Sequence, residues 1–254
     1  MARAMVRGWA AAGAGATEQM VVSDRGSGRA RALADAYGVD ATTDNRELVD
    51  RSDVVVVCVK PTDVEDVVRQ VSDHVGPDTL VASVAAGVHA ATLENLLDDG
   101  VPVLRLMPNV PVEVGAGTIT YATGRVRTDL TEAALSCLGQ LGTLVELREP
   151  LFDAATALSG SGPAFFALVV EAFEDAAIVA GLSAEVGREL ALTTMVGTAR
   201  MLVEDDLSCG ALRRMVTSPG GTAATGLAHM ERAAVRGAII DAVVAARDRA
   251  GELG

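Results

Sequence analysis

The sequence predicts a molecule in two parts. Residues 1–148 read as an open, doubly wound, mostly parallel α/β sheet, and residues 149–254 as an all-helical second part. Three observations carry this. Short β-branched runs alternate with helix-periodic stretches up to about residue 148, and such alternation implies right-handed crossovers onto a parallel sheet. The strand signal stops near Pro150, a reasonable boundary. Long Ala-rich stretches of helical period follow, the pattern of helices that pack on one another.

Taken in order, residues 2–12 read as a helix. MVVS (20–23) and VVVVCV (54–59) are unbroken apolar runs of strand length, as expected of strands covered on both faces. LVASV (80–84) and VPVLRLM (101–107) continue the series, and GTITYAT (117–123) reads as a later, partly exposed strand. Helices are expected at 27–36, 44–51, 63–73 and 90–97, then at 163–181, 184–204 and 231–250. A doubly wound nucleotide domain begins with a strand, a Gly-rich turn and a helix, with an acid about 20 residues beyond the turn. Asp24 is such an acid, and counting back from it lands on the first two residues. The expectation is a first strand and glycine turn absent from this sequence. GAG (13–15) follows the first helix and is no substitute.

Composition bounds the function. Half the residues are hydrophobic, mostly Ala, Val and Leu, and only 3% are aromatic, so the core rests on close helix contacts. A net charge of −13 argues against nucleic acid as a partner. No run approaches the roughly 18 apolar residues of a membrane span, and the N-terminus lacks a secretory core. Cys58, Cys137 and Cys209 are widely spaced, odd in number, and form neither a disulfide framework nor a metal pattern. His74, His89 and His229 show no ligand spacing. These features predict a soluble cytoplasmic protein.

Four segments bear chemistry. In VVVVCVKP (54–61) a buried strand delivers Lys60, the sole lysine, to its carboxyl end, where open α/β sheets bind ligands. The plain alternative is a solvated loop lysine. In LRLMPNVP (104–111) two prolines fix a rigid turn around Asn109, whose amide could face the cleft. In SGSGP (159–163) a helix starts at Pro163, a favoured position. In SPGGT (218–222) small residues open another helix, and the amides of 221–223 with the Ser218 hydroxyl could hold a carboxylate. Each of the last three reads equally as an ordinary turn or cap. No nucleophile–base pair stands out, so no catalytic residue is assigned.

Together these segments resemble the pyrroline-5-carboxylate reductase family. The resemblance runs through essentially the whole chain in order: MARAMVRG, VVVVCVKP, SVAAGV (83–88), LRLMPNVP, SGSGPAF and LRRMVTSPGGT. It implies a Rossmann-like domain, a helical domain interleaved with a second subunit, and reduction of 1-pyrroline-5-carboxylate to L-proline by NADPH or NADH. It further implies a homodimer or, by further assembly, a decamer. By resemblance, Val59, Lys60, Pro61, Met107, Pro108 and Asn109 border the nicotinamide. Ser218, Gly220, Gly221, Thr222 and Ala223 form the substrate-carboxylate loop. Ala2 takes the third, small position of the family's glycine fingerprint. Asp24 suits an NADH ribose, whereas Arg25, Arg29 and Arg31 suit a 2'-phosphate, a balance tilted towards NADP. Val110, Phe165 and Ala223 depart from the family's usual threonine, tyrosine and threonine. Two alternatives are a 3-hydroxyacid or 6-phosphogluconate-type dehydrogenase and a non-catalytic paralogue. The first needs a lysine in the second domain, and residues 149–254 hold none.

Overall fold

The computed structural model describes residues 1–13 and 17–252; of the GAG segment only Gly13 falls among them. The chain opens on α1 (Ala2–Ala12), which buries Met5, Val6, Gly8 and Trp9 along one stripe. Gly8 is required by proximity, because a Cβ there would lie 2.1 Å from the carbonyl oxygen of Val112.

There follow β1 (Val21–Ser23), α2 (Arg29–Tyr37), β2 (Asp40–Thr42), α3 (Asn45–Asp50), β3 (Val54–Val57) and α4 (Val64–Val71). Then come β4 (Leu80–Ser83), α5 (Ala90–Glu94), β5 (Val103–Pro108), β6 (Gly117–Thr123), α6 (Thr128–Gly139) and β7 (Gly142–Glu146). The helical part comprises α7 (Phe152–Ala155), a π-helical turn (Thr156–Gly160), α8 (Gly162–Val179), α9 (Ala184–Glu204), α10 (Cys209–Val216), α11 (Thr222–Arg232) and α12 (Val235–Gly251).

The strands form two sheets. One holds β1 and β2; the other runs β3-β4-β5-β6-β7. All pairs are parallel except β5 with β6. On one face of the larger sheet Val55 and Val57 pack with Val49 of α3 and Val64, Val68 and Val71 of α4. On the other face Leu80, Ala82, Leu104 and Leu106 pack with Met5 and Trp9 of α1 and Ala134 and Leu138 of α6. Every residue of β4 is buried, as double winding requires. Beside β6 the chain closes tightly at Gly142, whose φ of 142° favours glycine and whose added Cβ would meet the Gly117 carbonyl oxygen at 2.0 Å.

The single helix expected over 231–250 is interrupted, because Ala234 takes a left-handed φ of 55° between α11 and α12. By contacts the chain divides into two compact units, Met1–Ser161 together with the chain from Ala246 onward, and Gly162–Ala245. Residues 149–161 stay with the sheet because Phe152 is buried and Ser159 is hydrogen-bonded to Asn109. Within the second unit Gly187 of α9 lies close to α8, a Cβ there meeting Ala177 Cβ at 2.7 Å, and Arg188 pairs with Glu174 at 3.1 Å.

Candidate active site

β3 runs out through Cys58 and Val59 to Lys60, which is extended (φ −65°, ψ 150°) and caps a 3-10 turn opened by Pro61. The Asp63 N–H donates to the Lys60 carbonyl at 2.9 Å. Lys60 and Pro61 are exposed, and Val59 is partly buried. Burial pushes the Cys58 thiol up to about 11, so at neutral pH it is an inert apolar side chain.

The carboxyl end of β5 gives a different picture from the one expected. Asn109 is buried, and its carboxamide is committed within the protein. Oδ1 accepts from the Thr118 N–H at 2.8 Å, and Nδ2 donates to the Ser159 carbonyl at 3.1 Å. The amide therefore ties the β5–β6 turn to the π-helical turn Thr156–Gly160. A Cβ on Gly160 would sit 3.6 Å from Met107 Cε, so the Met-Pro-Asn and Ser-Gly-Ser-Gly segments form one packed structure. Pro108 is buried and Met107 half-buried.

Asp24 is likewise committed. Its Oδ1 accepts from the Ser27 N–H at 2.8 Å, and its Oδ2 from the Ala30 N–H at 2.7 Å and the Ser27 hydroxyl at 3.0 Å. The Ala30 N–H is the largest influence holding its carboxyl below the usual range. Both oxygens thus serve the start of α2. Nearby Arg25 is exposed, with Asp63 at 3.8 Å, whereas Arg31 pairs along its own helix with Asp35 at 3.1 Å.

In the second unit Ser218-Pro219-Gly220-Gly221 joins α10 to α11. Gly220 has φ 69°, and Gly221 caps α11. The Gly221 N–H already donates to the Ser218 carbonyl at 3.0 Å, so the amides left for a carboxylate begin at Thr222 and Ala223, not at 221. The Thr225 hydroxyl donates to the Gly221 carbonyl at 3.2 Å. Thr222 and Ser218 are exposed and Ala223 partly buried.

Sequence reasoning missed one polar cluster. Arg105 of β5 is 4% exposed, with its guanidinium carbon 4.4 Å from the Phe152 ring centroid. Its Nη1 lies 3.0 Å from His89 Nδ1 and 3.4 Å from Glu149 Oε1, which also accepts from the Ala90 N–H at 2.8 Å. Burial raises the Glu149 carboxyl, but the Ala90 N–H and the Arg105 charge outweigh it and hold the group below its usual range. The available signal was an arginine inside the apolar run VPVLRLM.

A cavity of about 1460 Å³ gathers Ala2, Asp24, Arg25, Val59 and Lys60. Pro61, Met107, Pro108 and Asn109 do not line it. Arg3, Arg25, Arg29 and Lys60 supply cationic charge, and α1 begins there without a side-chain cap, leaving the N–H groups of its first turn for an anion. These residues fit a phosphate-bearing dinucleotide. Among the described residues no group of three His, Cys, Asp or Glu is placed to hold a metal, and no helix is long and apolar enough to cross a membrane.

A doubly wound sheet with a cavity that runs along β1 and β3 to Lys60, and a helical second unit, defines a class, the nicotinamide-dependent oxidoreductases. Residues 1–87 match the family model described as NADP oxidoreductase, coenzyme F420-dependent, and residues 149–253 the one described as pyrroline-5-carboxylate reductase dimerisation. The pyrroline-5-carboxylate reductase of Methanosarcina acetivorans is 37% identical over 100% of this chain and 94% of its own. That of Mycobacterium tuberculosis is 38% identical over 93% and 88%. The solved structure of a pyrroline-5-carboxylate reductase from Coxiella burnetii superposes with TM-score 0.90 at 34% identity, covering 100% of this chain and 94% of that one. A Plasmodium falciparum pyrroline carboxylate reductase with NADP bound gives 0.86 at 27%, covering 99% and 93%. The chain belongs to the pyrroline-5-carboxylate reductase family. These matches do not favour a dehydrogenase of 3-hydroxyacid or 6-phosphogluconate type.

Proposed function

We infer that this chain reduces 1-pyrroline-5-carboxylate to L-proline, the closing step of proline synthesis, using NADPH or NADH. The full-length match to pyrroline-5-carboxylate reductases carries this reading. The bound nicotinamide supplies a hydride. The ring imine takes up a proton and accepts that hydride at carbon, so the C=N double bond becomes a C–N single bond with one new C–H and one new N–H, and no leaving group is needed. The protein's work is orientation rather than acid catalysis. Val59, Lys60 and Pro61 border the nicotinamide on one side; Met107 and Pro108 border it on the other, held in place by the Asn109 carboxamide. Ser218, Gly220, Gly221, Thr222 and Ala223 hold the substrate carboxylate, with the N–H groups of Thr222 and Ala223 as donors.

Because both Asp24 oxygens already accept hydrogen bonds from the start of α2, Arg25 and Arg29 set the coenzyme preference, and NADPH is favoured. The dimerisation domain makes the protein an oligomer. Its unit is a homodimer, with further assembly to a decamer possible. Three free cysteines accord with work in the cytoplasm.

The test is loss of reduced-nicotinamide absorbance on adding the imine, with proline identified as product. Turnover with both coenzymes and a higher kcat/KM for NADPH is the expected result, and Arg25→Ala should lower that preference about tenfold, the equivalent of one charge-assisted contact. Coenzyme binding without any imine-dependent oxidation would favour the non-catalytic paralogue.

A further inference from the structure

The polar cluster on β5 holds two hydrogen bonds that exclude each other. His89 Nδ1 lies 3.0 Å from Arg105 Nη1 and 3.2 Å from Glu149 Oε2. A guanidinium only donates and a carboxylate only accepts. The one ring nitrogen can therefore serve Arg105 while it is bare, or Glu149 while it carries a proton, but never both. Arg105 decides between them when the ring is neutral. It is buried, its nearer acceptor is His89 Nδ1, and its other is Glu149 Oε1 at 3.4 Å. A buried charge is costly to leave short of an acceptor, so the neutral ring carries its proton on Nε2.

Protonation reverses the choice. Imidazole ordinarily changes charge between about pH 5 and 8, and the His89 ring is more than half exposed, so it exchanges its proton with water directly. Among the described residues the charged groups in reach of the ring are Arg105 from β5 and Glu149 from the 3-10 turn Glu149–Leu151. Glu94, on the helix α5 that starts after His89, is bound instead to the Arg125 N–H. Glu149 stays ionised over that range, since the Ala90 N–H and the Arg105 charge outweigh its burial. The charged ring then donates to Glu149 Oε2, and two cations share one carboxylate.

Both partners lead to the turn around Asn109. Arg105 stands two residues before Met107 and four before Asn109 along β5 and its turn. Glu149 opens the segment whose Phe152 ring covers the Arg105 guanidinium and whose Ser159 carbonyl accepts from Asn109 Nδ2. That segment is tied to the β5 chain at both ends, so a shift at Glu149 is transmitted to the Asn109 carboxamide.

We propose that His89 is a positioning residue for the turn Met107–Asn109, operated by its own proton. Neutral, it braces Arg105 and keeps the turn in place; charged, it draws Glu149 from Arg105 and loosens the turn. Its effect on turnover rests on the reading that places Met107 and Pro108 beside the nicotinamide.

The chain has three histidines, His74, His89 and His229, so nitrogen NMR on the intact protein resolves each ring. In the neutral His89 ring the bare nitrogen should be Nδ1. As pH falls from about 8 to 5, the Met107 methyl and the Asn109 side-chain amide should shift with the midpoint of His89, not with that of His74 or His229. His89→Asn, which keeps an acceptor near the Nδ1 position and gains no charge, should abolish those shifts. With saturating coenzyme, kcat of His89→Asn relative to the native chain should rise about two- to fivefold over the same fall in pH, the reach of one partly exposed ion-pair contact. The KM ratio should stay flat, and taking ratios cancels the titration of the imine itself. A proton on Nδ1 in the neutral ring, Met107 and Asn109 signals indifferent to the His89 midpoint, or shifts that persist in His89→Asn would each overturn the proposal. A flat kcat ratio with turnover present would do the same. Absence of turnover in both proteins would count against the functional reading, and the NMR titration would still decide the role of His89.

Discussion

Asn109 joins three segments through one carboxamide. Two prolines announced the rigid turn around it, and the turn is there. Its partners were not legible, since Ser159 lies 50 residues away in sequence and no local pattern encodes such a contact. Asn109→Ala leaves the half-buried Thr118 N–H and Ser159 carbonyl without this partner and should cost about 1–3 kcal/mol in urea unfolding. An unchanged midpoint would mean that water or a neighbour replaces the amide. Asp24 teaches a related lesson. Its position after a strand suggested a ribose contact, and residue type alone did not disclose that the Ser27 and Ala30 amides use its oxygens to start α2.

Among elements, apolar runs rich in valine and leucine made β1, β3, β4 and β5 readable, because strands covered on both faces have no other pattern, and β6 was legible as a partly exposed strand of β-branched and aromatic residues. β2, α6 and β7 escaped. β2 is a three-residue strand with two exposed positions, and β7 buries none of its residues, so neither carries an apolar signal. α6 buries only Thr131, Ala134 and Leu138. Arg105 interrupts β5 and is answered by Glu149 from beyond the sheet. Removing Glu149 strands a buried guanidinium, so Glu149→Ala should destabilise the sheet unit by about 2–4 kcal/mol, and replacing both residues by methionine should cost less than the single change. The Glu149 carboxyl titrates below its ordinary 4.5 in the folded state. Its stabilisation is therefore complete above that value and is lost as pH falls through the lower, folded one. Urea midpoints followed from neutral to acid pH should fall more steeply for the native chain than for Glu149→Gln; parallel curves would remove the cluster from the acid response.

On the scale of the whole molecule, the helical unit stands out for what it leaves uncovered. From Gly162 to Glu252 only Gly162 and Gly187 are buried. Phe166, Leu168 and Phe173 on α8 remain more than half exposed, as do Leu190 on α9 and Ile239 and Ile240 on α12. The Ala-rich helical periods were plain in the sequence, but periodicity does not say whose surface covers an apolar face. For the proposed homodimer, sedimentation at micromolar concentration should give a dimer, and Phe173→Lys should shift it to monomer with loss of helical signal. A compact, fully helical monomer would argue against it. Helices with no interior of their own make folding a second-order event for this chain. Its melting temperature should then climb with protein concentration. Two differently labelled populations, once assembled, should trade subunits only as slowly as the helices come apart, so each molecule keeps its first partner.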